Sequence, residues 1–139
     1  MSKVVVLGAG QWGSTLAQVL CDAGNHVLIW GRNQEVVDEI NNKHTNAHYL
    51  GENALPLGLK ATTDIKEAFE YSTIYVMAIP AQTLRENLKI WKPYVQPGAI
   101  YVSSLKGIEV STLSRMTEII QEVMETDNVA IITGPNLAN

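Results

Sequence analysis

At 139 residues, 46% apolar and 17% charged, the chain has the size and balance of one globular domain with a sizeable core. A formal charge of −4 supplies no basic field for nucleic acid, and no run approaches the ~18 apolar residues of a membrane span. The N-terminus lacks a signal-peptide layout, and a lone cysteine, Cys21, cannot form an internal disulfide, which fits a reducing, cytoplasmic setting.

The first predicted element is a strand over Lys3–Leu7, a continuous apolar run that stops at Gly8-Ala9-Gly10-Gln11-Trp12-Gly13. A helical pattern then covers Gln11–Ala23, with Leu16, Val19, Leu20 and Ala23 at helical spacing. G-x-G-x-x-G between a strand and a helix is the dinucleotide fingerprint in its required context. Gly8 permits the tight turn, Gly10 lets backbone approach a pyrophosphate, and Gly13 lets helix and strand pack closely. The helix start presents unpaired N–H groups to the phosphates. Its dipole contributes about 0.3–1 kcal/mol, enough to orient a dinucleotide but not to hold one alone.

Gly24 caps this helix, and Val27–Trp30 form the second strand. An NAD-specific site usually carries Asp or Glu there, about 20 residues past the glycines, for the ribose hydroxyls. Trp30-Gly31-Arg32-Asn33 offers a guanidinium instead. Arg32 is suited to a 2′-phosphate through charge-assisted hydrogen bonds of about 1.5–3 kcal/mol each. The plain alternative is a solvated arginine at a helix start. NADPH is therefore the expected cofactor, with NADH also accommodated by adenine stacking on the Arg32 plane.

A polar helix follows over Gln34–Asn42, with Val36, Val37 and Ile40 inward, and then a long Asn-, Gly- and Pro-rich connection over Lys43–Lys60. Connections of this length are usually functional or mobile. His44 and His48 stand four apart in it without a third ligand, so no metal site is expected. A short strand near Leu59–Thr62 precedes Asp64 and Glu67, spaced as a capping pair for a helix that buries Ile65, Ala68 and Phe69. Strand four, Thr73–Ile79, is apolar enough for burial on both faces. Pro80 opens a helix with Leu84, Leu88 and Trp91 inward, Pro93 stops it, and Pro97-Gly98 turns into strand five, Ala99–Ser103.

The last helix is expected over Thr112–Glu125, burying Leu113, Met116, Ile120, Val123 and Met124, and strand six over Val129–Thr133. Glu109, Glu118, Glu122 and Glu125 read as solvated positions. Trp12, Trp30 and Trp91 read as packing residues, Trp12 with the added option of covering a dinucleotide. Ser103 and Ser104 lack a His/Asp arrangement for nucleophilic hydrolysis. The alternation predicts an α/β fold, a single Rossmann-like domain with a doubly wound, mostly parallel sheet. Ligands in such sheets bind beyond the carboxyl ends of the strands. Those ends are Gly8-Ala9-Gly10, Trp30-Gly31-Arg32, Ala78-Ile79-Pro80, Ser104-Leu105-Lys106-Gly107 and Thr133-Gly134-Pro135-Asn136.

Several motifs in order now carry a family resemblance. They are Gly8 to Gly13, Leu28-Ile29-Trp30-Gly31-Arg32, Asn46-Ala47-His48-Tyr49-Leu50 with Leu55-Pro56, Ala78-Ile79-Pro80-Ala81-Gln82, Ser104-Leu105-Lys106-Gly107-Ile108-Glu109, and Thr133-Gly134-Pro135-Asn136-Leu137-Ala138. Across its whole length the chain resembles the N-terminal domain of the bacterial NAD(P)-dependent glycerol-3-phosphate dehydrogenases. The resemblance implies cofactor contacts at Gln11, Trp12, Arg32, Asn33, Tyr49, Pro80, Lys106 and Ala138, beside the glycines. It implies substrate contacts at Lys106, Gly134 and Asn136. Gln11 stands where a small hydroxyl residue is common, Asn33 where a second basic or aromatic group is frequent, and Asn136 where serine is commoner.

The implied reaction is reversible hydride transfer between the nicotinamide and C2 of dihydroxyacetone phosphate, giving sn-glycerol 3-phosphate for phospholipid synthesis in the cytoplasm. Lys106 is suited to polarising the ketone, whose oxygen gains negative charge. In the family the proton-transferring lysine belongs to a helical C-terminal domain, which these 139 residues are expected to lack. That lysine is expected beyond Asn139, and no catalytic residue is expected within the chain itself. The expectation is a dinucleotide-binding domain that binds cofactor weakly and does not turn over substrate alone, with a homodimer as an open assembly state. Two other readings compete: a reductase of another small 2-keto or 2-hydroxy compound, and a non-catalytic dinucleotide-binding redox sensor.

Overall fold

Val5 and Leu7 of the first strand, β1 (Lys3–Leu7), belong to one apolar core, and Val4 and Val6 to another, so both faces of this strand are covered. The computed structural model describes residues 1–133 and builds the two cores around a single sheet. The remaining strands are β2 (His26–Trp30), β3 (Lys60–Thr62), β4 (Ile74–Met77), β5 (Ile100–Ser103) and β6 (Val129–Ile131). All pairings are parallel, in the order β3-β2-β1-β4-β5-β6. Val5 is in register with Leu28 on one side and Tyr75 on the other. The chain winds outward from β1 to β3, then crosses back to β4, so the strand order reverses beside β1. Ligands bind at such a switch point.

The helices are α1 (Gln11–Asp22), α2 (Gln34–Lys43), the single turn α3 (Ala47–Leu50), α4 (Ile65–Tyr71), α5 (Leu84–Trp91) and α6 (Met116–Met124). Ala17 of α1 with Val37 and Ile40 of α2 cover one face of the sheet. Phe69, Leu84, Leu88, Trp91, Ile119 and Ile120 of α4, α5 and α6 cover the other. The sheet is therefore doubly wound, as the alternation predicts. None of the helices is long and apolar enough to cross a membrane, among the described residues.

Several local expectations need correction. The inner face of α1 is made of Gly13, Ser14 and Ala17, whereas Val19 is 58% exposed. Small side chains let this helix lie close on the sheet, and Leu16 and Leu20 pack only partly. The connection after α2 is not loose. It contains α3, an antiparallel bridge between Thr45 and Ala54, and the buried Leu55 and Leu59. Glu67 does not complete a reciprocal cap. Asp64 accepts from the N–H groups of Lys66 and Glu67, while Glu67 accepts from the Thr62 hydroxyl.

β4 ends at Met77, because after Ala78 N–H donates to Leu7 the chain leaves the ladder toward Pro80. A 3₁₀ turn over Ala81–Thr83 then precedes α5, and Pro93 sits inside a second 3₁₀ turn, Lys92–Tyr94, that prolongs it. α6 starts at Met116, four residues later than its apolar spacing suggests. The segment before it folds on itself through an Ile108–Arg115 bridge and a Leu113 N–H bond to the Glu109 carbonyl. Leu113 there takes a positive φ of 61° and is 72% exposed rather than buried. Glu109 is buried, not solvated, because Nε of Arg85 lies 3.0 Å from its carboxylate.

Candidate functional site

Three close approaches shape the turn after β1. Gly8 has φ +126°, and a Cβ on it would stand 2.4 Å from the Ala78 carbonyl oxygen. A Cβ on Gly13 would stand 1.9 Å from the Gly8 carbonyl oxygen, so only hydrogen fits between helix and turn. A third glycine, Gly31 at the end of β2, would meet the Ala9 Cβ at 2.7 Å. Sequence reasoning missed that role. Gly10 differs from all of them, since a Cβ there would meet nothing within 4 Å. Packing does not demand glycine at Gly10, and it borders an open cleft.

Gly10 is also the N-cap of α1. No side chain caps this end and no acid occupies the first turn. The first intrahelical bond runs from Ser14 N–H to the Gly10 carbonyl, so the N–H groups of Gln11, Trp12 and Gly13 precede the ladder. Such an end attracts an anion. A helix end with no Cβ at Gly10 and no carboxylate in its own first turn fits a pyrophosphate.

The cleft above this turn has a volume of about 1050 Å³, at the upper end of the roughly 300–1,000 Å³ common for ligand sites. Its lining comes from the carboxyl ends of β1, β2, β4 and β5, and from α3. Gly8, Gly10, Gln11, Trp12, Arg32, Asn33, Tyr49, Pro80 and Lys106 all line it, whereas Gly13 lies beneath as a packing position. Gly134, Asn136 and Ala138 lie outside the described residues, as does Asn139, the position beyond which the proton-transferring lysine is expected.

Arg32 is exposed and makes no ion pair among the described residues. Asn33 caps α2, its Oδ1 accepting from Glu35 N–H at 2.9 Å, which leaves its amide nitrogen for a ligand. Glu35 and Glu39 line the same end of the cleft and were missed in the sequence. They lie on α2, beyond the strand end where an acid is expected, and two acids four apart share one helix face. The Glu39 carboxylate accepts from Ala47 N–H at 2.7 Å and from the Thr45 hydroxyl at 2.8 Å. These bonds, the first above all, hold its carboxyl below the usual range.

Tyr49 is 42% exposed, with its ring edge-on to His48 at 4.7 Å. His48 borders the cleft, whereas His44 ends α2 in a left-handed conformation. Among the described residues no group of three or more His, Cys, Asp or Glu gathers to hold a metal ion. Trp12 is half-buried at the cleft. Trp30 donates to the Thr63 carbonyl and packs edge-on against Trp91, with centroids 5.4 Å apart.

Lys106 is exposed at the end of β5, across the cleft from the glycine turn, and Gly107 follows with φ +92°. The segment around it is anchored on both sides. Ser104 donates to the Met77 carbonyl at 2.5 Å. Gln82 donates to the Ile108 carbonyl and accepts from Val110 N–H, at 2.8 and 3.0 Å. Arg85 grips Glu109 beyond that. This arrangement can bind a long polyanionic ligand across the sheet and present one ammonium group to an oxygen of a second ligand.

A family model described as the N-terminus of NAD-dependent glycerol-3-phosphate dehydrogenase matches residues 3–139. The chain is 47% identical over 140 residues to a glycerol-3-phosphate dehydrogenase, NAD(P)+, of Corynebacterium urealyticum, covering 99% of this chain and 42% of that protein. It is 48% identical over 141 residues to the enzyme of the same name from Thermobifida fusca, with the same shares covered. A crystal structure of glycerol-3-phosphate dehydrogenase from Coxiella burnetii superposes with a TM-score of 0.89 at 29% identity, covering 98% of this chain and 42% of that one. The chain spans about two fifths of the length of the curated relatives it matches.

Proposed function

Because the chain belongs to the NAD-dependent glycerol-3-phosphate dehydrogenase family, as an N-terminal domain, we propose that it binds NADPH and, less tightly, NADH for the interconversion of dihydroxyacetone phosphate and sn-glycerol 3-phosphate. When bound, the reduced cofactor supplies the hydride that turns the ketone into the alcohol. The N–H groups of the first turn of α1 would hold the pyrophosphate, and Arg32 a 2′-phosphate. Gln11, Trp12, Asn33, Tyr49 and Pro80 would complete the cofactor contacts. The Lys106 ammonium group donates a hydrogen bond to the ketone oxygen and favours the charge that develops there.

The observation that carries this is the open position at Gly10 over an uncapped helix end, in one cleft with Arg32 and Lys106. The proton for the ketone oxygen comes, in this reading, from a lysine in polypeptide beyond Asn139. The length of the relatives, more than twice that of this chain, supports the division. Gly134 and Asn136 remain proposed substrate contacts and Ala138 a cofactor contact. Action in the cytoplasm for phospholipid synthesis belongs to the same reading. The homodimer stays an open assembly state of this reading, and sedimentation equilibrium reads it directly.

The test is calorimetric titration of the 139-residue chain with NADPH and NADH, followed by an absorbance assay with dihydroxyacetone phosphate. Binding of both, tighter for NADPH, and no turnover is the expected result. Robust turnover by the chain alone would refute the division of labour. No binding of either would refute the cofactor assignment.

A further inference from the structure

Asn46 precedes α3, and its side chain is completely buried although Tyr49, three residues on, is exposed. Its Nδ2 donates to the Ala9 carbonyl oxygen at 3.0 Å and to the Ser14 hydroxyl oxygen at 2.9 Å. Both amide hydrogens thus go to the glycine turn and the first turn of α1. Its Oδ1 accepts nothing among the described residues. An amide supplies two donors on one atom, which neither Asp nor Ser at this position can do. The Asn46 backbone carbonyl meanwhile accepts from Tyr49 and Leu50 N–H, at 3.1 and 2.8 Å, and so fixes α3. From the other side Glu39 grips the same segment at Ala47 and Thr45.

Resting on the dinucleotide reading, we infer that Asn46 is a positioning residue for the cofactor, acting through the Ala9–Gly10 peptide and through Tyr49. A trans peptide points its C=O and N–H in opposite directions. Tying the Ala9 carbonyl to Asn46 therefore aims Gly10 N–H away from Asn46, and Gly10 is among the turn residues that line the cleft. The same side chain sets the distance between that turn and the wall formed by His48 and Tyr49. A wall ordered before the ligand arrives loses less freedom on binding, which raises affinity without adding a contact. Asn46 itself does not line the cleft.

The test is calorimetric titration of the 139-residue chain with NADH and with NADPH, for the parent, Asn46→Ala, Tyr49→Ala and the double variant. Asn46→Ala should raise Kd at least about tenfold for both dinucleotides, a loss of about 1.4 kcal/mol, and leave their ratio unchanged, because Arg32 is untouched. With Tyr49 already removed, the effect of Asn46→Ala should shrink at least about threefold, since part of what it positions is gone. Ser14→Ala removes one acceptor and does not line the cleft. It carries the same test, with a smaller rise in Kd, where Asn46→Ala fails to fold. Folded variants that bind within about twofold of the parent, or equal effects in both backgrounds, would overturn the inference and leave the dinucleotide reading standing. A parent chain that binds neither dinucleotide overturns both.

Discussion

A Cβ added to Gly13 would lie 1.9 Å from the carbonyl oxygen of Gly8, well inside any real contact distance. The opposing atom is backbone, in a turn itself pressed against the Ala78 carbonyl, so it has little room to yield. Gly13→Ala must push α1 off the sheet. Overpacking of this kind costs about 1–3 kcal/mol or more, so the urea midpoint of Gly13→Ala should fall clearly. An unchanged midpoint would show that the helix is less tightly seated than described.

Gly10→Ala separates packing from binding. Its Cβ meets nothing within 4 Å, and φ −80° with ψ −166° suits alanine. Stability should change by less than about 1 kcal/mol, the usual scale for such N-cap exchanges. Affinity for both dinucleotides should nevertheless fall at least about tenfold, or about 1.4 kcal/mol, because the methyl group occupies the approach to the helix end. Calorimetry paired with urea unfolding reads both quantities on one sample.

Arg32→Ala should discriminate between cofactors. Losing a charge-assisted bond of about 1.5–3 kcal/mol should weaken NADPH by about tenfold or more, while NADH stays within about threefold. The gap should narrow at high salt, since exposed charges are screened. Equal loss for both dinucleotides would mean that Arg32 stacks on the adenine and does not read the 2′-phosphate.

Glu109 makes part of the stability pH-dependent. The Arg85 guanidinium first, and the Thr112 hydroxyl second, hold its carboxyl below the ordinary value of 4.5. A carboxylate lowered in the folded state adds stability that is full above its unfolded pKa and is lost as pH falls through the folded one. Glu109→Gln should therefore be less stable than the parent at about pH 7, with the two curves converging below about pH 4.5. Some acid sensitivity should persist in the variant, because Glu39 and Glu118 are lowered in the same direction. Urea midpoints at about pH 7 and about pH 3 check the convergence, and parallel curves would contradict it.

The sheet and its switch point were legible because buried parallel strands read as unbroken apolar runs, as in Val4 to Leu7 and Ile74 to Met77. The cleft residues were legible where glycine or charge marks a strand end, as at Gly10, Arg32 and Lys106. Periodicity misled at Val19 and Leu113, because it registers apolar side chains but not close approach or left-handed backbone. Asn46, Gln82 and Glu109 act through partners 24 to 37 residues away, such as Ala9 and Arg85, and no local pattern announces such pairs.

Amide chemical-shift mapping of the chain, at 15.3 kDa well within reach of NMR, bears most directly on where the cofactor sits. Adding NADPH should shift the amide signals of Gly10, Gln11 and Trp12 most, with those of Arg32, Tyr49 and Lys106 titrating over the same ligand concentrations. Shifts clustered instead around Ser2, Ser72 and Gln96, in the hollow at the opposite end of the strands, would contradict a dinucleotide over the first turn of α1.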